Sequence, residues 1–261
     1  MLYVIEGPAG SGKTKRAYDL LLEGAREHKD RNYILVIPEQ SSITAQRDMV
    51  ELSPNKGLLN IDILSFNRLA HRIFSATGGE ACDLIDDSGK NLIIRRIADD
   101  LKQELQVIGG ELRKSGYVAE IRSVISEFMQ YGIMPEDIPV IAASVADRSP
   151  YLSRKLQDIA VIYRRFKEYM GNDFMTREEL LVRASAMAHD ADFLRGATLI
   201  FDSFTGFTPV QYEVISKMMR KCGSLYFTIT MDSEALEDNS YEEEGLFKMG
   251  REMAAKLSRI A

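Results

Sequence analysis

With 261 residues, of which 45% are hydrophobic and 28% charged, the chain is long and apolar enough for one large or two modest globular domains. Its formal net charge of -6 argues against a surface devoted entirely to nucleic acid, while leaving room for a local basic face. The sequence shows neither a secretory signal pattern nor an apolar run that could span a membrane, so we expect a cytoplasmic protein without a membrane partner. Two distant cysteines, Cys82 and Cys222, exclude a finger-type zinc site or a four-cysteine iron–sulfur cluster within these residues.

The first predicted elements alternate between strand and helix. Apolar, β-prone runs predict strands at residues 2–6, 33–37 and 59–64, and helical spacing predicts helices at 14–28, 40–52 and 65–76, with Ser65 as the N-cap of the last. This βαβαβα order predicts a parallel sheet covered on both faces, in which the first strand is buried. We assign residues 1–80 to the first part of this α/β domain.

Helical periodicity takes over in the middle of the chain. Apolar residues recur at spacings of three and four in segments 92–101, 118–129 and 156–166, whereas β-branched runs disappear. The pattern predicts an inserted, all-helical subdomain over residues 81–192.

The alternation of strand and helix then returns. A strand is predicted at 197–201, a helix at 209–221 with Thr208 as N-cap and Pro209 at its first position, and a strand at 225–230. The acidic run 234–244 predicts a solvated loop, and a helix follows at 245–260. Residues 193–261 therefore return to the α/β domain, and the predicted fold class is α/β with one parallel sheet.

The turn between the first strand and the first helix matches the phosphate-loop pattern GxxxxGK[ST] at every fixed position. The glycines allow backbone N–H groups to point inward, and the helix directs the positive end of its dipole to the same place. We predict that the polyphosphate of a nucleotide binds here, with Lys13 on the β- and γ-phosphates and Thr14 as a ligand of Mg²⁺. The alternative is a chance glycine-rich turn. The predicted loop consists of Gly7, Pro8, Ala9, Gly10, Ser11, Gly12, Lys13 and Thr14.

Asp202 is a second candidate ligand of Mg²⁺. It follows the apolar strand at 197–201, and a carboxylate at the end of such a strand can hold the metal with Thr14 or through water. The alternative is an aspartate that only caps a turn. Ser203 comes next, where motor ATPases with an Asp-Glu pair place the glutamate base, and serine cannot accept that proton at neutral pH. Asp202 followed by Ser203 therefore predicts that the chain binds nucleotide but hydrolyses it poorly.

The long insertion between Lys13 and Asp202 is too large for a compact nucleotide kinase or small GTPase, and it resembles the plan of UvrD/Rep-type superfamily I helicases, whose first RecA-like domain carries a helical insertion. Further segments, in the same order along the chain, resemble the N-terminal part of the B subunit of the AddAB (RexAB) helicase–nuclease. They are VIPEQ at 36–40, ILSFNRLAHRIF at 63–74 with TGG at 77–79, EFMQYGIMPEDI at 127–138, LQDIAVIYRRF at 156–166 and IFDSFTGFTPVQYEVI at 200–215.

This resemblance implies a subunit that processes double-strand DNA ends for recombinational repair. Its implied partners are an AddA-type helicase–nuclease subunit, single-stranded DNA and duplex ends, and its implied cofactors are ATP and Mg²⁺. The family's nuclease and iron–sulfur cluster lie in a C-terminal region that these residues do not contain. We therefore expect the chain to be part of a longer protein and to have little activity alone.

The resemblance also implies DNA contacts beside the third predicted strand. Gln40, which follows the second predicted strand, is a candidate contact for the nucleotide or for DNA, and the alternative is a polar residue that only begins a helix. An aromatic ring that stacks on a base and cations that meet phosphate would suit a single strand. The alternative is that Phe66 belongs to the core and the arginines to a solvated helix face. The candidate DNA contacts are Ser65, Phe66, Asn67, Arg68 and Arg72, with His71 beside them.

Two other classes of function stay open from the sequence. A kinase-type phosphotransferase would require a second substrate pocket near Lys13, which the long insertion and Ser203 disfavour. A P-loop nucleotide-binding scaffold, in which the site is a relic, is compatible with the same residues.

Overall fold

The structure is a computed structural model that describes residues 1–54, 56–79, 83–101, 103–111, 114–171, 173–231 and 247–260. These residues form an α/β protein with a parallel sheet and ten α-helices, which confirms the predicted fold class at that level. The chain divides into two units, Met1–Gly79 with Leu181–Ala261 and Glu80–Leu180. None of the described helices is long and apolar enough to cross a membrane.

The elements follow one another along the chain in three parts. The first part contains β1 Leu2–Gly7, α1 Lys13–Glu27, β2 Tyr33–Val36, a 3₁₀ helix Glu39–Ser41, α2 Ser42–Leu52, β3 Ile61–Leu64 and α3 Phe66–Ala76. The middle contains β4 Asp83–Leu84, α4 Asp87–Asp100, α5 Ser115–Gln130, α6 Ile138–Val145, α7 Pro150–Met170, β5 Phe174–Met175 and α8 Arg177–Met187. The last part contains a 3₁₀ helix Asp192–Leu194, β6 Thr198–Phe201, α9 Pro209–Met219, β7 Ser224–Thr230 and α10 Lys248–Ile260.

The main sheet has the strand order β1-β7-β6-β2-β3, and every neighbouring pair is parallel. Phe227 of β7 is in register with Val4 of β1 on one side and with Phe201 of β6 on the other. The two strands that come last in the chain, β6 and β7, therefore lie between β1 and β2. Because all strands run the same way, the loops after β1, β2, β3 and β6 leave the sheet at one edge, where α/β proteins commonly bind ligands.

The prediction that β1 is buried is wrong. β1 forms one edge of the described sheet, and Tyr3 and Val4 are each 40% exposed. The ring of Tyr3 stacks on that of Tyr226 with centroids 4.7 Å apart, which covers one of its faces. Apolar composition did not separate an edge strand from a central one, because both read as short β-prone runs.

The unit Glu80–Leu180, called the middle unit below, has its own apolar core, which is formed chiefly by α4, α5 and α7. The prediction that this part of the chain is entirely helical is wrong, because β4 pairs in parallel with β5. Two-residue strands leave no periodic pattern that a sequence could reveal. The carboxylate of Asp158 on α7 accepts the backbone N–H groups of Gln106, Val107 and Ile108 at 2.9, 2.7 and 2.9 Å, so one buried side chain anchors the 103–111 segment.

Two predicted caps are confirmed by their hydrogen bonds. The Ser65 hydroxyl accepts the Arg68 N–H at the start of α3, and Thr208 and Gln211 form a reciprocal capping box at the start of α9. The predicted acidic loop at 234–244 lies outside the described residues, as does Cys82.

Candidate functional site

The glycine-rich loop connects the carboxyl end of β1 to the first turn of α1. Gly10 and Gly12 have φ angles of 78° and 89°, a left-handed conformation that favours glycine, and Gly12 is the N-cap of α1. The Lys13 ammonium bends over the loop and donates to the carbonyl oxygens of Gly7 and Pro8 at 2.8 and 2.7 Å. Ala9 and Ser11 at the tip are exposed. The loop therefore presents a cation and a helix N-terminus at one place, a combination that attracts anions.

Thr14 and Asp202 meet, although they stand 188 positions apart in the chain. The Thr14 hydroxyl lies 3.2 Å from Oδ1 and 3.1 Å from Oδ2 of Asp202, whose residue is only 2% exposed. Thr14 lies in the first turn of α1, which follows β1, whereas Asp202 directly follows β6, and β7 lies between those two strands. The two side chains therefore meet beyond the carboxyl ends of the strands.

The Asp202 carboxylate has two further hydroxyl donors. Ser203 donates to Oδ2 at 3.0 Å, and the buried Thr228 of β7 donates to Oδ1 at 2.6 Å. Ser203 has a φ of 64°, which is unusual for a residue other than glycine, and its N–H donates to the Thr228 hydroxyl at 3.3 Å. The sequence reading missed Thr228, and the available signal was one hydroxyl residue inside an otherwise apolar strand.

Oxygen donors in this arrangement suit Mg²⁺. The metal prefers carboxylate and hydroxyl oxygen at about 2.0–2.1 Å, so neighbouring ligands of an octahedral site stand about 3.0 Å apart. The separation of Thr14 Oγ1 from the Asp202 oxygens, 3.1 to 3.2 Å, is close to that spacing. In the part of the chain that the structure describes, no group of three or more His, Cys, Asp or Glu side chains could hold a metal ion.

Tyr18 of α1 lies close to this carboxylate. Burial raises the pKa of Tyr18 to about 12, and the negative charges of Asp202 and Asp48 act in the same direction. The phenol thus stays neutral at physiological pH. It lines an open groove with Thr14 and Asp48, beside the first turn of α1.

The predicted DNA-binding residues of α3 fall into two groups. Ser65 caps the helix, and Phe66 is 5% exposed, because its ring packs against those of Phe201, Phe204 and Phe207 with centroids 5.5 to 5.7 Å apart. Neither side chain presents a free face to solvent.

The other group is closer to solvent. Arg72 pairs with Asp62 and places its guanidinium 4.4 Å from the ring centroid of Phe193, so its charge is already compensated. Asn67 donates to Glu39 at 2.6 Å. Arg68 is exposed, and its side chain has no hydrogen bond or ion pair with the other described residues. An open groove runs along this face, lined by Leu64, Arg68, His71, Arg72, Ser75 and Ala76.

Gln40 lies in the 3₁₀ helix that follows β2, at the same edge of the sheet as Asp202. Its side chain is exposed and forms no hydrogen bond within the described ranges. A nucleotide contact at Gln40 therefore stays a prediction.

The fold and the site define a class: an α/β protein with a parallel sheet, a glycine-rich loop after its first strand, and a buried carboxylate against the first helix. The chain belongs to the family described as "ADDB, N-terminal", whose model matches residues 4–261.

Similar proteins are named as the B subunit of an "ATP-dependent helicase/deoxyribonuclease". The one from Lachnoclostridium phytofermentans is 35% identical over 260 residues, which cover 100% of this chain and 22% of that protein. Those from Alkaliphilus metalliredigens and Alkaliphilus oremlandii are 31% and 30% identical over 98% of this chain and 22% of each relative. The chain thus spans about a fifth of the length of the curated relatives it matches.

Proposed function

We propose that this chain is the nucleotide-binding part of an AddB-type subunit, with a RecA-like, UvrD/Rep-type core, that acts on DNA ends in the cytoplasm. It binds Mg·ATP at residues 7–14, with Thr14 and Asp202 toward the metal and Gln40 near the nucleotide. The contact between the Thr14 hydroxyl and the Asp202 carboxylate carries this proposal, because it joins two distant motifs into one oxygen-donor site.

Slow hydrolysis is part of the proposal. Ser203 occupies the position after the metal-site carboxylate, and its hydroxyl donates to Asp202 instead of accepting a proton. A positioned general base contributes about 10²- to 10⁴-fold to a rate of this kind. We therefore expect Mg·ATP to bind and to turn over slowly, with or without single-stranded DNA.

Titration calorimetry tests the nucleotide site. Lys13→Ala should abolish Mg·ATP binding with little change in melting temperature, because the ammonium contacts only loop carbonyls among the described residues. Lys29→Ala is the matched control, since it removes the same charge from an exposed position beyond α1. Unchanged binding by Lys13→Ala, or rapid ATP turnover by the wild-type chain, would contradict the proposal.

We also propose that single-stranded DNA binds along the groove of α3. Arg68, His71 and Ser75 are the exposed polar side chains of this groove, whereas Phe66 and Ser65 position the helix from within the fold. Since Arg72 is already paired with Asp62, we assign the main phosphate contact to Arg68.

The salt dependence of DNA binding tests this assignment. Arg68→Ala should lower the slope of log affinity against log salt concentration by about 0.7, the value for one phosphate contact on a single strand. Arg72→Ala should lower it less, and Arg26→Ala, an exposed arginine in the last turn of α1, should leave it unchanged. Fluorescence anisotropy of a labelled oligonucleotide gives these slopes, and equal slopes for wild type and Arg68→Ala would refute the contact.

The proposed partner is an AddA-type helicase–nuclease subunit, and the proposed pathway is the repair of double-strand breaks. Support comes from the name of the relatives, which describes one subunit of a helicase/deoxyribonuclease. We assign the nuclease chemistry and an iron–sulfur cluster to the region of such proteins that this chain does not span. A labelled blunt duplex incubated with this chain, Mg²⁺ and ATP should accordingly stay intact.

A further inference from the structure

We infer that Thr228 is a positioning residue of the metal site, whose hydroxyl holds the Asp202 carboxylate in the orientation that Mg²⁺ requires. The inference rests on the proposed function and adds a residue of β7 that neither motif contains. Its evidence is the set of hydrogen bonds around a carboxylate that is almost fully buried.

The direction of each hydrogen bond at Thr228 follows from its partners. A backbone N–H can only donate, so the Thr228 oxygen accepts the N–H of Ser203 at 3.3 Å. The single hydroxyl proton of Thr228 is then directed to Oδ1 of Asp202, at 2.6 Å. Thr228 thus links the backbone of Ser203, with its left-handed φ of 64°, to the carboxylate before it.

The two oxygens of Asp202 each have a donor besides Thr14. Thr228 donates to Oδ1 and Ser203 donates to Oδ2, whereas the hydroxyl of Thr14 lies about equally far from both. Thr14 can therefore turn its oxygen toward a metal without releasing the carboxylate. A carboxylate that is fixed before the metal arrives loses less conformational freedom on binding, which favours affinity.

Removing this hydrogen bond should weaken the binding of the metal rather than that of the phosphates. Partners that orient a metal ligand typically contribute about 10- to 100-fold to metal affinity. Lys13 makes its hydrogen bonds to loop carbonyls and none to Thr228 among the described residues, so nucleotide binding without metal should be unaffected.

The experiment compares the affinity for ATP in Mg²⁺ with that in EDTA, and the ratio of the two measures the contribution of the metal. Thr228→Val keeps the shape of the side chain and removes the hydroxyl, so the ratio should fall about tenfold or more while the affinity in EDTA stays the same. Thr228→Ser restores the hydroxyl and should restore the ratio. Thr230→Val makes the same change at the exposed end of β7 and should keep the wild-type ratio.

Two results would overturn the inference: an unchanged ratio in Thr228→Val, or equal losses of affinity with and without metal, which indicate a structural role only. If Thr228→Val does not fold, the comparison of Thr228→Ala with Thr228→Ser decides by the same criteria. Absence of any ATP binding by the wild-type chain would instead contradict the proposed function, and the inference with it. Metal-dependent wild-type binding with an unchanged variant ratio would remove only the role of Thr228.

Discussion

Glu179 is a partly buried carboxylate of the middle unit that three donors keep charged. Burial by itself raises its pKa, but hydrogen bonds from the Lys167 ammonium at 2.5 Å and from the N–H and hydroxyl of Thr176 outweigh burial. The pKa of Glu179 is therefore lowered from its ordinary 4.5. A depressed pKa means that the ionised side chain stabilises the fold above pH 4.5 and that this contribution is lost as the pH falls through the folded pKa.

We predict that Glu179→Gln lowers the free energy of unfolding by about 1.5–3 kcal/mol at pH 7, the usual range for hydrogen bonds to a charged group. The difference from wild type should shrink as the pH drops below 4.5, because the wild-type carboxylate then becomes protonated. Urea denaturation at several pH values measures both effects. Glu168→Gln, at an exposed ion pair on α7, should cost less than about 1 kcal/mol. A pH-independent difference for Glu179→Gln would contradict the assigned charge.

Residues whose chemistry depends on fixed spacing were the ones that the sequence could specify. The positions from Gly7 to Thr14 follow a fixed pattern, and Asp202 follows an apolar strand, so the sequence alone indicates both. The sequence does not indicate Thr228, because the role of a hydroxyl in a strand depends on which residue lies beside it on the neighbouring strand of the sheet. Phe66 illustrates the converse, since an aromatic residue in a segment predicted to bind DNA is equally suited to a core, where its ring packs against Phe201.

At the scale of elements, α1 packs against β2 through a very close contact. A Cβ atom added at Gly24 would lie 2.5 Å from the ring of Tyr33, which is buried in β2. Glycine at this position of the helix therefore allows the ring to fill the space beside α1.

We predict that Gly24→Ala destabilises the chain, although alanine is favoured over glycine in a helix by about 1 kcal/mol. The crowded ring must move, and forcing extra volume into a packed core typically costs about 1–3 kcal/mol. Gly116→Ala, at an open helical position of α5, should be neutral or stabilising. Thermal melting of the two variants should therefore show a loss for Gly24→Ala alone, and equal shifts would count against the contact with Tyr33.

Most elements with strong periodicity or clear caps were predictable, including α1, α3, α7, α9 and the strands of the main sheet. α6 and α8 were not, because neither gave a strong apolar stripe in a region already expected to be helical. The sequence also did not predict the exposure of β1, because the position of a strand at the edge or in the centre of a sheet depends on the strand order and not on the residues of that strand.

At the scale of the whole molecule, every residue of the proposed nucleotide site belongs to the unit that contains the main sheet. Ligand binding stabilises the native state by RT ln(1 + [L]/Kd), about 2.7 kcal/mol at a hundredfold excess over Kd. Local opening of the elements that hold the ligand should become correspondingly rarer.

We therefore predict that Mg·ATP slows amide hydrogen exchange in β1, α1, β6 and β7, and leaves α4, α5 and α7 unchanged. Exchange followed by mass spectrometry, with and without nucleotide, measures this. Lys13→Ala should show no slowing in any element. Slowing that is confined to the middle unit would place the ligand somewhere other than the glycine-rich loop.

The strand order also has a consequence for how the protein is made. β1 and β2 leave the ribosome early, yet β1 pairs with β7 and β2 pairs with β6, and both of these partners are synthesised only after the whole middle unit. Translation proceeds at about 5–20 residues per second, so the two early strands are without these neighbours for about 10 to 40 seconds. During that interval the unpaired backbone N–H and C=O groups of these strands and their apolar side chains are open to wrong pairing, so we expect chaperones to matter more for the nascent chain than for the folded protein.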